Sequence, residues 1–171
     1  MTPRPTRIIL VSTVGVTAGA VGLFLAGVAG DDLAPRVAGW FLLLFAALFC
    51  LRVVGQVIVV ARAPAWLPPM RQWNLLPYRF LLPIQLALLG VMMWLLWDFL
   101  RGSGVATEPA PRFGRFLIGF SVIYAAAMAI RYGARMLRRP AERWLGGTIP
   151  IVFHWILAAF LLVLGTYHAS H

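Results

Sequence analysis

The sequence predicts an all-α fold: a polytopic integral membrane protein whose five transmembrane helices form one bundle. Apolar residues make up 61% of the chain and charged residues only 12%, far from the roughly 45–50% and 25% of soluble domains. The apolar residues are gathered in five stretches of about twenty, the length at which an α-helix crosses a hydrocarbon core of roughly 30 Å. No carboxylate lies near the middle of any stretch. Because lipid offers no partner to backbone polar groups, each stretch should be helical.

The predicted spans follow one another as a single domain, residues 1–171. In order, they cover about residues 8–30, 37–60, 78–100, 113–137 and 149–169. The first apolar run is longer than the 7–15 residues of a signal-peptide core, so we expect it to remain as a helix. The second span is entered through the polar residues 31–36.

Prolines near the beginning mark the third and fifth spans, and arginines near the end mark the fourth. Pro83 falls in the first turns of the third span and Pro150 in the first turn of the fifth, where helices tolerate proline best. Arg131 and Arg135 interrupt the end of the fourth span. These signals set the boundaries of the spans.

The distribution of arginine predicts the orientation, because cytoplasmic segments of membrane proteins carry an excess of basic residues. With the N-terminus inside, ten arginines lie on inner segments: Arg4, Arg7, Arg62, Arg71, Arg79, Arg131, Arg135, Arg138, Arg139 and Arg143. Four lie on outer segments: Arg36, Arg101, Arg112 and Arg115. We therefore expect an N-inside, C-outside topology. The connection 62–77, rich in proline and tryptophan, should lie along the inner membrane surface.

The first span carries small residues at helical spacing, which predicts close packing against another helix. The members of this small-residue face are Gly15, Ala18, Gly19, Gly22, Ala26 and Gly30. A face with almost no side chain lets another backbone approach closely in a membrane. The sequence does not say whether the packing partner belongs to this chain or to another.

Polar residues inside the spans form a second set of candidates, since such residues are costly in lipid. We name as the polar layer six residues, most of them at similar depth in the inner leaflet: Arg52, Gln56, Gln85, Tyr124, Arg131 and His154. Arg52 and Gln56 are four residues apart and share a helix face. One interpretation is that the arginine reaches toward the membrane surface while the amides bond neighbouring helices. The other is a pocket for a lipid headgroup or a quinone.

Three histidines are weaker candidates for a haem or a metal ion. His154 and His168 are fourteen residues apart, so they share a helix face about 21 Å apart. This spacing resembles that of membrane cytochromes b that hold two haems, but no second helix supplies a matching pair. His168 and His171 have a spacing compatible with a metal ion, without a third ligand.

The rest of the chain offers little for catalysis. Ser121 has no histidine or lysine nearby in sequence to activate it, and no phosphate-binding loop is present. The single Cys50 lies inside a span, and Asp98 is expected to pair with Arg101. The net charge of +10 does not indicate nucleic acid as a partner, since the arginines sit between apolar spans.

These observations favour a non-catalytic integral membrane subunit, in a homo-oligomer or in a larger complex such as a respiratory or photosynthetic one. Its partners would be membrane lipids and other membrane subunits, and its location a bacterial inner membrane. The first alternative is a binding protein for lipid, quinone or haem that uses the polar layer. The second is a membrane enzyme acting on a lipid. No cofactor is required by the sequence; a bound lipid or quinone is the favoured candidate over haem.

Overall fold

Five long α-helices make up almost all of the computed structural model, which describes residues 4–28, 34–62, 78–138 and 148–171. The helices are α1 (Arg4–Val28), α2 (Pro35–Arg62), α3 (Tyr78–Arg101), α4 (Pro111–Arg138) and α5 (Thr148–Ser170). A short 3-10 helix, Val105–Thr107, lies between α3 and α4. The predicted all-helical fold is confirmed, and from the second span onward the predicted and observed boundaries agree to within two residues. Gly30 and most of the inner connection, residues 63–77, lie outside the described residues.

Successive helices run in opposite directions. Phe24 near the end of α1 packs edge-to-face on Phe41 near the start of α2, with ring centroids 5.2 Å apart. Gly39 near the start of α2 lies against Phe99 at the end of α3. The α1, α3 and α5 helices therefore run one way, and α2 and α4 the other. We call the two ends of the bundle the His168 end and the Arg62 end, after residues of α5 and α2.

The α5 helix is the centre of the bundle. It packs along α4 on one side and along α2 on another, while α1 packs more sparsely against α5 and α2. Its Ile156 and Val163 are completely buried, as are Leu42 and Phe45 of α2 and Phe99 of α3. This central position follows from its composition, because α5 is apolar on every side over most of its length.

The outer surface of the bundle is apolar. Large hydrophobic side chains stand exposed on the middle turns of the peripheral helices, among them Leu51, Ile123 and Ile130. All five helices are long and apolar enough to cross a membrane. Apolar patches of this size are not stable in water, and lipid is the solvent that suits them. The described residues thus form five candidate membrane-spanning helices, the arrangement of a multi-pass membrane protein.

Candidate functional site

Two side chains of the polar layer meet between α4 and α5. The Tyr124 hydroxyl and His154 Nδ1 share a hydrogen bond. The neighbouring Trp155 donates its indole N–H to the carbonyl oxygen of Ala125 at 3.2 Å. Both bonds cross the same helix pair, so α4 and α5 are joined by polar contacts at this depth. Inside a membrane such bonds hold helices together because lipid offers no competing partner.

Arg52 of α2 lies close to this pair. Its guanidinium carbon stands 5.1 Å from the ring centroid of Phe153 on α5, within the range of a cation–π contact. Its charge also interacts with Tyr124 and His154. The side chain is only 8% exposed, and no described residue accepts a hydrogen bond from its Nε. We call Arg52, Tyr124, Phe153 and His154 the arginine cluster.

The two glutamines of the polar layer are buried at a similar depth in the bundle. Gln56 follows Arg52 by one helical turn and is completely buried. Gln85 of α3 is 4% exposed, and neither of its side-chain polar atoms has a hydrogen-bond partner among the described residues. The helices α2 and α3 run antiparallel, and Gly39 of α2 lies against Phe99 of α3. Counting the same number of residues along both helices from this contact places Gln85 of α3 at the level of Val53 of α2.

An aromatic ridge runs along α4 from the arginine cluster toward the His168 end. Phe116 stacks on Phe120 and Phe120 on Tyr124, with centroid distances of 6.2 Å and 5.7 Å. Both phenylalanines are exposed on the surface of the bundle. In the other direction, Arg131 follows Tyr124 by about two turns, is exposed, and interacts electrostatically with His154. This side of α4 is thus apolar toward one end and cationic toward the other.

A close contact between α4 and α5 was not predicted from the sequence. A Cβ added at Gly114 of α4 would lie 2.7 Å from the carbonyl oxygen of Gly165 on α5. About two helical turns further along the same interface, the Ser121 hydroxyl donates to the carbonyl oxygen of Ala158 at 3.0 Å. The sequence does carry a signal for this contact. Two small residues lie seven apart on each helix, Gly114 and Ser121 on α4 and Ala158 and Gly165 on α5. Because the helices are antiparallel, the first of one pair meets the second of the other.

The small-residue face of α1 points away from the other described helices. Ala18 and Ala26 are exposed, and a Cβ added at Gly15, Gly19 or Gly22 would meet nothing within 4 Å. The buried side of α1 is formed by other residues: Leu10, Thr17, Ala20 and Phe24. At 100° per residue these two sets lie on opposite sides of the helix. No described residue of this chain covers the small-residue face.

His168 and His171 do not converge on a metal site. His168 is 5% exposed and surrounded by rings, with Phe99, Phe113 and Tyr167 at centroid distances of 6.3, 5.9 and 5.4 Å. His171 is exposed and donates from Nδ1 to the carbonyl oxygen of Tyr167 at 3.0 Å. Within the described ranges, no three metal-ligating side chains cluster together.

The ion pair expected between Asp98 and Arg101 does not form. Asp98 accepts a hydrogen bond from the backbone N–H of Ala106 at 3.1 Å and so holds the short 3-10 helix. Arg101 instead places its guanidinium 5.3 Å from the ring centroid of Trp97. Tyr167 donates to the carbonyl oxygen of Thr107 at 2.9 Å, which ties this connection to α5. The backbone N–H of Ala106 takes the place of Arg101 at the Asp98 carboxylate. The positive φ of Gly104 (133°) accompanies the turn that brings Ala106 to Asp98.

No protein-family model matches this chain, and no curated protein or solved structure shows significant similarity to it.

Proposed function

We propose that the protein is a non-catalytic integral membrane subunit whose α1 helix packs against a transmembrane helix of another chain. The observation that carries this proposal is the outward direction of the small-residue face. In lipid, apolar surface alone gives no force between helices, and association relies on close backbone approach at small residues. The face has the composition for such approach, and no described part of its own chain occupies it.

The weak attachment of α1 to its own bundle supports the same proposal. Only one side of α1 is buried, and its interfaces with α5 and α2 are sparse beside that of α4 with α5. A helix held on one side presents the other to a neighbour. The partner is a second copy in a homo-oligomer or a different subunit in a larger complex, and the mass of the native particle separates the two.

The mass of the particle in mild detergent tests the proposal, with Gly22→Leu as the variant and Gly90→Leu as its control. Both glycines are exposed, and a Cβ at either meets nothing within 4 Å, so both changes begin a side chain on an open side of the described monomer. The wild type and Gly90→Leu should migrate as an assembly, and Gly22→Leu as a single chain of 18.9 kDa. A monodisperse wild-type monomer, or a Gly22→Leu particle of unchanged mass, contradicts the proposal.

The proposed subunit sits in a bacterial inner membrane with its Arg62 end in the cytoplasm. The ten arginines assigned to inner segments against four on outer segments support this orientation. The His168 end, which carries Asp98 and Glu108, then faces outward.

A further inference from the structure

We propose that the arginine cluster binds the anionic headgroup of a membrane lipid, with the lipid tail lying along the aromatic ridge of Phe116 and Phe120. The ligand is defined by its chemistry: a phosphate or carboxylate joined to an apolar chain. This inference goes beyond the proposed function and does not depend on the assembly of α1.

The charge of the arginine cluster is not neutralised by the described residues. The carboxylates of Asp98 and Glu108 belong to the His168 end, about 20 Å along the bundle axis from Arg52. The other three acidic residues, Asp31, Asp32 and Glu142, lie outside the described ranges. A buried cation without a partner is strongly destabilising, so a bound anion that supplies the missing charge is favoured.

The cluster also offers the donors that an oxyanion needs. Arg52 Nε has no acceptor among the described residues, and an arginine can bind a phosphate or carboxylate through two parallel hydrogen bonds. The Tyr124 hydroxyl and the His154 ring, which share a hydrogen bond, belong to the same cluster, and both residues are only half-buried. Gln85, level with this part of α2, is a further buried side chain with unused donor capacity.

The surroundings of the cluster match the shape and polarity of a lipid. From Tyr124, near the middle of α4, the exposed Phe120 and Phe116 lead toward the His168 end and offer an apolar surface along which a tail would run. In the opposite direction the exposed Arg131 lies about two turns, roughly 10 Å, nearer the Arg62 end. A headgroup bound at the arginine cluster would therefore have the apolar part of α4 on one side and a second cation on the other.

Native mass spectrometry of the delipidated protein, titrated with defined lipids, tests this inference. The probes are phosphatidylglycerol and oleate, with phosphatidylcholine as the reference without net charge. The wild type should bind one molecule of an anionic probe more tightly than phosphatidylcholine. Preference for phosphatidylglycerol identifies a phosphate headgroup, and preference for oleate a carboxylate; both support the site. Equal binding of all three probes overturns it.

The Arg52→Met variant shows whether the preference comes from this cluster. Because the buried charge partner is lost, the affinity for the anionic probe should fall about thirtyfold or more. Arg36→Gln, which removes an exposed arginine at the His168 end, should change binding by less than about twofold. Arg52→Lys, which retains the charge without the two-pronged geometry, should bind with intermediate affinity. Unchanged affinity in Arg52→Met overturns the inference.

Folding of the variants is checked separately from binding. Replacement of a buried unneutralised charge by an apolar side chain of similar length should leave the melting temperature in neutral detergent equal or higher. If Arg52→Met does not fold, Tyr124→Phe provides the second test, since it retains the ring and removes only the hydroxyl. The affinity for the anionic probe should fall several-fold in this variant, while the affinity for phosphatidylcholine stays the same. An equal loss of affinity for both lipids would contradict the site.

Discussion

Gly114 and Gly165 face each other where α4 and α5 approach closely. A Cβ at Gly114 would lie 2.7 Å from the carbonyl oxygen of Gly165, and a Cβ at Gly165 would lie 2.9 Å from that of Gly114. The two backbones touch here because neither residue has a side chain. This contact, with the Ser121 hydrogen bond to Ala158, fixes the depth at which Tyr124 meets His154.

We expect Gly165→Ala to destabilise the bundle by about 1–3 kcal/mol, because the added methyl group would have to push α4 and α5 apart. Gly119→Ala is the matched control on α4, where a Cβ meets nothing within 4 Å, and should change stability by less than about 0.5 kcal/mol. Reversible unfolding in mixed micelles, followed by tryptophan fluorescence, measures both. Equal stability of the two variants would show that the glycine contact is not formed.

Tyr124→Phe should cost about 0.5–1.7 kcal/mol, since it removes the hydrogen bond to His154 in a setting without water. Tyr132→Phe is the control, because the Tyr132 ring packs on Trp155 at 6.3 Å through contacts that phenylalanine retains. The same unfolding assay compares them. A loss as large in Tyr132→Phe as in Tyr124→Phe would mean that the Tyr124–His154 bond contributes nothing of its own.

Asp98→Ala should loosen the connection between α3 and α4, because the backbone N–H of Ala106 loses its acceptor. The expected cost is about 1 kcal/mol, and Asp98→Asn, which retains an acceptor oxygen, should lose less. Limited proteolysis of residues 102–110 should be faster in Asp98→Ala than in the wild type. If Asp98 acted mainly through its charge, the two variants would be cleaved at the same rate.

The orientation predicted by the arginines is testable with single cysteines in a Cys50→Ala background. Ser103→Cys at the His168 end and Ala61→Cys at the Arg62 end both place the thiol at an exposed position. A membrane-impermeant maleimide should label Ser103→Cys in intact cells and Ala61→Cys only after permeabilisation. The reverse pattern would invert the topology and move the arginine cluster to the outer leaflet.

The five helices were predictable because hydropathy and length carry almost all the information about a membrane span. The facing of each helix was not. All sides of α1 are apolar, so the sequence could show that Gly22 belongs to a small-residue face but not that this face points outward. The buried side, with Phe24 and Leu10, is distinguished only by its contacts in the bundle.

The polar layer was predicted as a set of residues at one depth, and the structure shows which of them meet. Arg52, Tyr124 and His154 come together, while Arg131 stays exposed. Depth follows from counting residues, but proximity depends on helix rotation and on which helices are neighbours. Phe153, which stacks on Arg52, could not be singled out because a phenylalanine in an apolar span carries no signal of its own.

Disulfide cross-linking in native membranes tests the central claim, the contact of α1 with another chain, most directly. Gly22→Cys is compared with Gly90→Cys in the Cys50→Ala background. Both substitutions replace an exposed glycine within a helix, where a Cβ meets nothing within 4 Å. If the partner is a second copy, we expect rapid oxidation of Gly22→Cys to a covalent homodimer. If the partner is a different subunit, we expect a heterobifunctional cross-linker to capture one discrete protein with Gly22→Cys and not with Gly90→Cys. Cross-linking no faster at Gly22→Cys than at Gly90→Cys would contradict it.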